Sequence, residues 1–157
     1  MSIKVPIYKV KLVRDHTATY PSGIVEDPKA TAAFFHGLIG SADREHLAAL
    51  FVDVVGRPTG ASIIAIGTLS KVRVHAREFF KAAILANADS IICAHNHPAG
   101  IPHPSPSDLQ LTRWLIFSSR ILGVHVTDHF IVSPSGDFIS IVGGGFLSAV
   151  PAEEEAA

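Results

Sequence analysis

One cysteine in 157 residues, Cys93, removes several chemistries at once. No intrachain disulfide can form, and no cysteine-based zinc cluster. A zinc deaminase centre is excluded on the same ground, because its Pro-Cys-x-x-Cys needs two thiols. Charge is scarce as well: 13 Lys and Arg stand against 14 Asp and Glu, for a formal net charge of -1. That balance gives no strong nucleic-acid footprint. Lys4, Lys9, Lys11 and Arg14 are basic but spread out, as on a solvated face. No apolar run reaches membrane-spanning length, so no membrane partner is expected. Residues 1–13 alternate polar and apolar and lack the apolar stretch of a secretory leader. A lone cysteine without a leader predicts a reducing, cytoplasmic setting.

What is present is a globular composition, 48% hydrophobic and 17% charged, enough for one domain with a sizeable core. Nine histidines are more than such a core needs. Ile3 to Val13 alternates and predicts an edge strand carrying Pro6. Asp27-Pro28 reads as an N-cap with proline at the first helical position. The helix it opens should run to about Leu38, burying Ala32, Phe35 and Ile39 and stopping at Gly40. Glu45 to Asp53 reads as a buried strand that begins with a carboxylate. Thr59 to Thr68 should form a hairpin with it, followed by a helix over Ala76 to Ala86 and a short buried strand over Ser90 to Ala94. Ser105-Pro106 opens a helix to about Leu122, capped by Gly123. Strands over Val124 to Ser133 and Asp137 to Val142 pair through Ser135-Gly136. Gly143-Gly144-Gly145 and the glutamate-rich end read as frayed. Alternating strands and helices give an α/β or α+β class with a mixed sheet.

The densest chemistry is His95 to Asp108, HNHPAGIPHPSPSD. His95 and His97 leave the end of a strand, where residues i and i+2 point to one side. Asp108 lies on the first turn of the next helix, across a Pro/Gly-rich bend. Two imidazoles and a carboxylate suit zinc, and three protein ligands with one position open to water is the catalytic arrangement. Such a site would activate water near neutral pH. Ser105 could hydrogen-bond the oxyanion of a tetrahedral intermediate. The bland alternatives are a surface histidine pair and a serine that merely caps a helix. The joint spacing of His-x-His, seven residues, Ser, two residues, Asp outweighs them.

That spacing resembles the JAMM (MPN+, JAB) metalloprotease motif, and the wording HNHPAG after AREFFKAAILANADSIICA resembles its RadC branch. The resemblance covers about Pro28 to Val142. It implies a single JAMM/MPN domain of cytidine-deaminase-like fold, a mixed sheet flanked by helices, with one Zn2+ per chain held by His95, His97 and Asp108 and with Ser105 as the motif serine. The family's general-base glutamate lies on an early strand, which points to Glu45 as the carrier of a proton from water to the leaving amine. Glu78, in His75-Ala76-Arg77-Glu78, competes for that role, although a carboxylate on a helix's first turn has a simpler use. Asp128-His129 resembles the family's Asp-His-hydrophobic run. It is either a pair that orients the site from behind or a buried structural pair. His103 reads as an exposed loop residue. The chain departs from the family in two ways: Ile101 replaces a common Asp, putting a local hydrogen bond in doubt, and there is no room for the helix-hairpin-helix region RadC proteins often carry, which weakens a link to DNA.

These readings predict an N-terminal strand and loop over 1–27, the RadC-like domain over 28–147 and a disordered acidic tail over 148–157. The function expected is a zinc-dependent hydrolase of JAMM type, a metallopeptidase acting on a peptide or isopeptide bond in a peptide or protein substrate. The alternative is a RadC-type accessory protein of DNA repair or mobile elements that binds metal without protease activity. A nuclease of the HNH kind is discounted, because those residues are dispersed over a ββα unit rather than contiguous. The expected first edge strand and Phe34-Phe35 leave a homodimer open.

Overall fold

A computed structural model describes residues 3–67 and 74–149. Helix α1 (Pro28–Phe35) starts where Asp27 accepts a hydrogen bond from Lys29 N, with proline at the first helical position. The chain then widens into a π-helical stretch, His36–Gly40, where a purely α-helical continuation was expected. Gly40 lets the His36 ring pack closely there, since a Cβ would stand 2.4 Å from it and the ring would have to move. Strand β1 (His46–Val52), strand β2 (Pro58–Ile66), helix α2 (Ala76–Leu85), strand β3 (Ser90–Asn96), helix α3 (Pro106–Leu122), strand β4 (His125–Val132) and strand β5 (Phe138–Ser140) follow. A 3-10 helix spans Phe146–Ala149.

The sheet order is β2-β1-β3-β4-β5. Among the described strands only β3 and β4 are parallel, and α3 makes their crossover. The sheet is therefore mixed, as the resemblance implies. Strand side chains alternate between faces. Leu47, Ala49 and Phe51 of β1 join Ile91 and Cys93 of β3 under α2 and α3, which contribute Phe79, Phe80, Ala83 and Leu115. Ala48, Leu50, Val52, Ile92 and Ala94 face α1, with Phe34, Phe35 and Ile39. Phe79 and Phe80 are fully buried. Truncating either to alanine would cost about 3–5 kcal/mol.

Strand β4 changes face part-way along. Ile91 pairs with Val126, but Ile92 pairs with Asp128, so Thr127 is an extra residue. Such a bulge inverts the alternation beyond it. Val126 lies under α3, whereas Phe130 and Val132 lie on the α1 side. His129 is thereby turned toward α3.

Two expectations are corrected. Ile3 to Val13 forms no strand; it has no regular secondary structure and is exposed, with Ile7 93% accessible. Alternation alone makes no strand without a neighbouring edge to pair with. Residues 143–149 are not frayed. Gly143 N donates to Ser140 Oγ, and Gly144 N donates to the Ser140 carbonyl. A Cβ on Gly144 would come 2.5 Å from that carbonyl oxygen. The glycines permit close approach here, and an Arg113 guanidinium then holds the Leu147 carbonyl. Thr68, the expected end of the β2 hairpin, and residues 150–157 of the tail lie outside the described residues. Among the described residues no helix is long and apolar enough to cross a membrane.

Candidate metal centre

His95 sits at the C-terminal end of β3, 3% accessible, on the face that carries Cys93 and Ile91. His97 is one residue past the strand and half-buried, and its amide donates to Val132 O, so it extends the β3–β4 pairing. The chain then bends through Gly100, at φ +92, where a side chain would be strained. It enters α3 at Ser105. Ser105 and Asp108 form a reciprocal cap: Asp108 N donates to Ser105 Oγ, and Ser105 N donates to Asp108 Oδ2 at 2.8 Å. The Ser105 hydroxyl also donates to Asp108 Oδ2, at 2.6 Å. The cap that starts the helix thus also aims the carboxylate.

His95, His97 and Asp108 converge, each offering one ligand atom within 4.8 Å of the others. His95 Nε2 lies 3.0 Å from His97 Nε2 and 3.4 Å from Asp108 Oδ1. His97 Nε2 lies 3.6 Å from Asp108 Oδ2. Tetrahedral zinc with its usual bond lengths separates its ligand atoms by about 3.3 Å, so the spacing fits.

Hydrogen-bond polarity gives a second test of fit. The Thr112 hydroxyl donates to the Asp108 carbonyl at 2.6 Å, since a carbonyl can only accept. Its one proton is spent, so Thr112 Oγ1 accepts from His129 Nδ1–H at 2.7 Å. His129 is fully buried, and burial pushes its pKa well below the ordinary imidazole value. It is neutral, and its Nε2 accepts from His95 Nδ1–H at 2.8 Å. His97 Nδ1–H donates to the Ile101 carbonyl at 2.8 Å. Both Nδ1 atoms therefore carry the proton, and both Nε2 lone pairs face each other beside a carboxylate. A cation is what such a donor set lacks.

The electrostatics agree. Burial pushes the Asp108 carboxyl upward, but the His95 and His97 imidazoles, when protonated on Nε2 in place of a cation, and the Ser105 hydroxyl outweigh it and hold it well below the usual carboxylate range. The His97 imidazole is raised, chiefly by its hydrogen bond to Asp108 against the opposing effect of burial. Ile101 and the charges of Asp108 and Glu45 add to the rise. A proton on His97 and a divalent cation compete for one place.

Glu45 reaches this face through the sheet. It precedes β1 by one residue, and its carbonyl accepts from Gly67 N, so the β1–β2 ladder continues through it. Leu47 pairs with His95 across β1 and β3. Extended two residues beyond its last pair, that antiparallel register would bring Glu45 beside His97, and the Glu45 charge does act on the His97 imidazole. Glu78 is elsewhere: exposed on the first turn of α2, its carboxylate is engaged by Lys81 and Arg77. The structure does not bring it to the cluster. Asp128 and His129 divide their roles. His129 stands behind His95, whereas Asp128 binds its own neighbours, accepting from His129 N, Val142 N and Ser140 Oγ. Ile101 contributes its backbone carbonyl, so the departure from Asp at that position costs nothing in this contact. His103 is exposed, its ring against Phe146. Sequence reasoning missed Thr112. Its only signal was a position four residues after Asp108, one turn further along the same helix.

A family model for the RadC-like JAB domain matches residues 25–146. The chain belongs to the RadC-like JAB domain family. Curated relatives of this RadC-like domain include a UPF0758 protein of Finegoldia magna, 41% identical over 123 residues, covering 78% of this chain and 55% of that protein. A UPF0758 protein of Acaryochloris marina is 38% identical over 118 residues, covering 75% and 48%. A third, from Shouchella clausii, is 35% identical over 127 residues, covering 81% and 55%. The chain spans about half the length of these relatives.

Proposed function

We propose that this RadC-like domain is a zinc-dependent hydrolase of JAMM type, acting on a peptide or isopeptide bond. The observation that carries the reading is the pair of Nε2 atoms 3.0 Å apart beside Asp108, with the Glu45 charge acting on His97. His95, His97 and Asp108 would hold one zinc ion per chain. Bound there, zinc would supply Lewis acidity to a water molecule and to the scissile carbonyl. Glu45 takes a proton from the attacking water and returns it to the leaving amine. Ser105 holds Asp108 Oδ2 with its hydroxyl, so it steadies a ligand in the resting site. To stabilise an oxyanion as well, it would have to turn that proton toward the substrate. The single thiol, Cys93, is buried among β3 and β4, which accords with a reducing, cytoplasmic setting.

Metal analysis of the wild type, Glu45→Gln and His95→Ala, scored against peptide and isopeptide substrates, tests the proposal. Zinc in the wild type, zinc without turnover in Glu45→Gln and neither in His95→Ala are expected. A zinc-loaded wild type that cleaves no such bond counts against it. Salt-dependent binding to DNA in place of cleavage would favour the accessory role.

A further inference from the structure

Between the two candidate metal ligands lies Asn96, fully buried and pointing to the opposite face of β3, the face of Ile92 and Ala94. Its carboxamide reaches back fifty residues in sequence to the segment that carries Glu45. Asn96 Oδ1 accepts from His46 N at 2.6 Å. Asn96 Nδ2 donates to Arg44 O at 3.0 Å and to Ala42 O at 3.3 Å. The amide can be oriented only one way, since an N–H only donates and carbonyls only accept. The Arg44 carbonyl belongs to the peptide group before Glu45, and the His46 amide to the peptide group after it. Gripping both fixes the two backbone dihedrals of Glu45, and with them the direction of its Cα–Cβ bond.

We propose that Asn96 is a positioning residue that aims the Glu45 carboxylate at the metal centre, a role that rests on the reading of Glu45 given above. One tripeptide then serves both halves of the site. The outer histidines of His95-Asn96-His97 face the metal, and the pleat turns the middle residue to hold the base. Buried side-chain amides with every hydrogen bond satisfied rigidify what they join.

The test uses the full chain loaded with cobalt(II), whose visible absorption reports the ionisation state of the site as pH is varied. Glu45→Gln removes a charge near the metal and is expected to move the absorption midpoint by about one pH unit. Asn96→Ala removes all three hydrogen bonds to residues 42–46 without adding a charge. It is expected to move the midpoint in the same direction by a comparable amount, to add nothing in the Glu45→Gln background, and to leave zinc affinity unchanged. Ser140→Ala, which loosens Asp128 away from the site, is expected to lower the melting temperature without moving the midpoint. An Asn96→Ala midpoint equal to the wild type's, with Glu45→Gln shifted, overturns the role of Asn96 and leaves Glu45 standing. A Glu45→Gln midpoint equal to the wild type's overturns the reading of Glu45 and the role of Asn96 with it. The wild type alone gives a second measurement by NMR, which holds if Asn96→Ala fails to fold. The Asn96 side-chain protons and the His46 amide should exchange as slowly as the β1–β3 ladder; exchange at the rate of an exposed amide overturns the proposal.

Discussion

His129 stands directly behind His95: its Nε2 accepts the His95 Nδ1 proton across 2.8 Å, and Thr112 holds its other ring nitrogen. The tautomer of His95 is therefore set by a hydroxyl on α3, two residues removed from the candidate metal position. Thr112→Val breaks the chain at its origin, and His129→Leu removes its middle. Each should weaken zinc binding about 10–100-fold, while Thr112→Ser should restore most of it. Competition with a chromophoric chelator measures this, and equal affinity in all three variants would refute it.

Zinc should stabilise the fold by mass action. At free zinc a hundred times its dissociation constant the gain is about 2.7 kcal/mol, a rise in melting temperature of roughly 5–10 °C for a chain of this size. Chelator should reverse it. His95→Ala, His97→Ala and Asp108→Ala should each abolish the rise in a thermal-shift titration.

Glu45→Gln should keep one zinc per chain and lose about 10²–10⁴-fold in turnover on any bond the wild type cleaves. Glu78→Gln should leave turnover unchanged, because that carboxylate is spent on Lys81 and Arg77 at the surface. A large loss in Glu78→Gln would transfer the base to α2.

Acid should destabilise the metal-free protein through His129. Its folded pKa lies well below its unfolded value of about 6.5, so below that pH the unfolded chain binds a proton the native state does not. Stability then falls with pH, by up to about 1.4 kcal/mol per unit. His97 works the other way, its raised pKa adding stability as pH falls. His97 is common to both proteins in a comparison with His129→Gln, so the variant should show the shallower acid slope in denaturant titrations between pH 6.5 and 5.

Cys93 should resist thiol reagents in the folded protein. Burial pushes its thiol pKa well above the ordinary value, with the Asp128 charge adding to the rise. Labelling that proceeds in denaturant but not in buffer is the expected result.

Much of this was legible in the sequence because local signals coincided with global ones. Ser105-Pro106 and Gly123 bound α3 as expected, with Gly123 at φ 69. The spacing of His95, His97 and Asp108 anticipated the cluster, since a strand end, a bend and a capped helix leave little freedom between them. Three features were not legible. The exposed arm over Ile3 to Val13 carries a strand's alternation, but alternation says nothing about whether an edge is there to pair with. The grip of Asn96 on residues 42–46 and the stacking of Thr112 behind His129 join segments far apart in sequence, so no local pattern encodes them. The bulge at Thr127 hid the face of His129, because a simple two-residue period sends it the other way.

That bulge has a consequence for how the strand can vary. Beyond it, His129 serves the polar site while Phe130, its next neighbour, fills the core on the far side. Deleting Thr127 would exchange the two, pressing an aromatic ring toward the candidate metal ligands and an imidazole into a pocket of phenylalanines. A single spare residue, exposed and tied down by its hydroxyl's hydrogen bond to the Ile91 carbonyl, is what keeps the two halves of β4 from trading places.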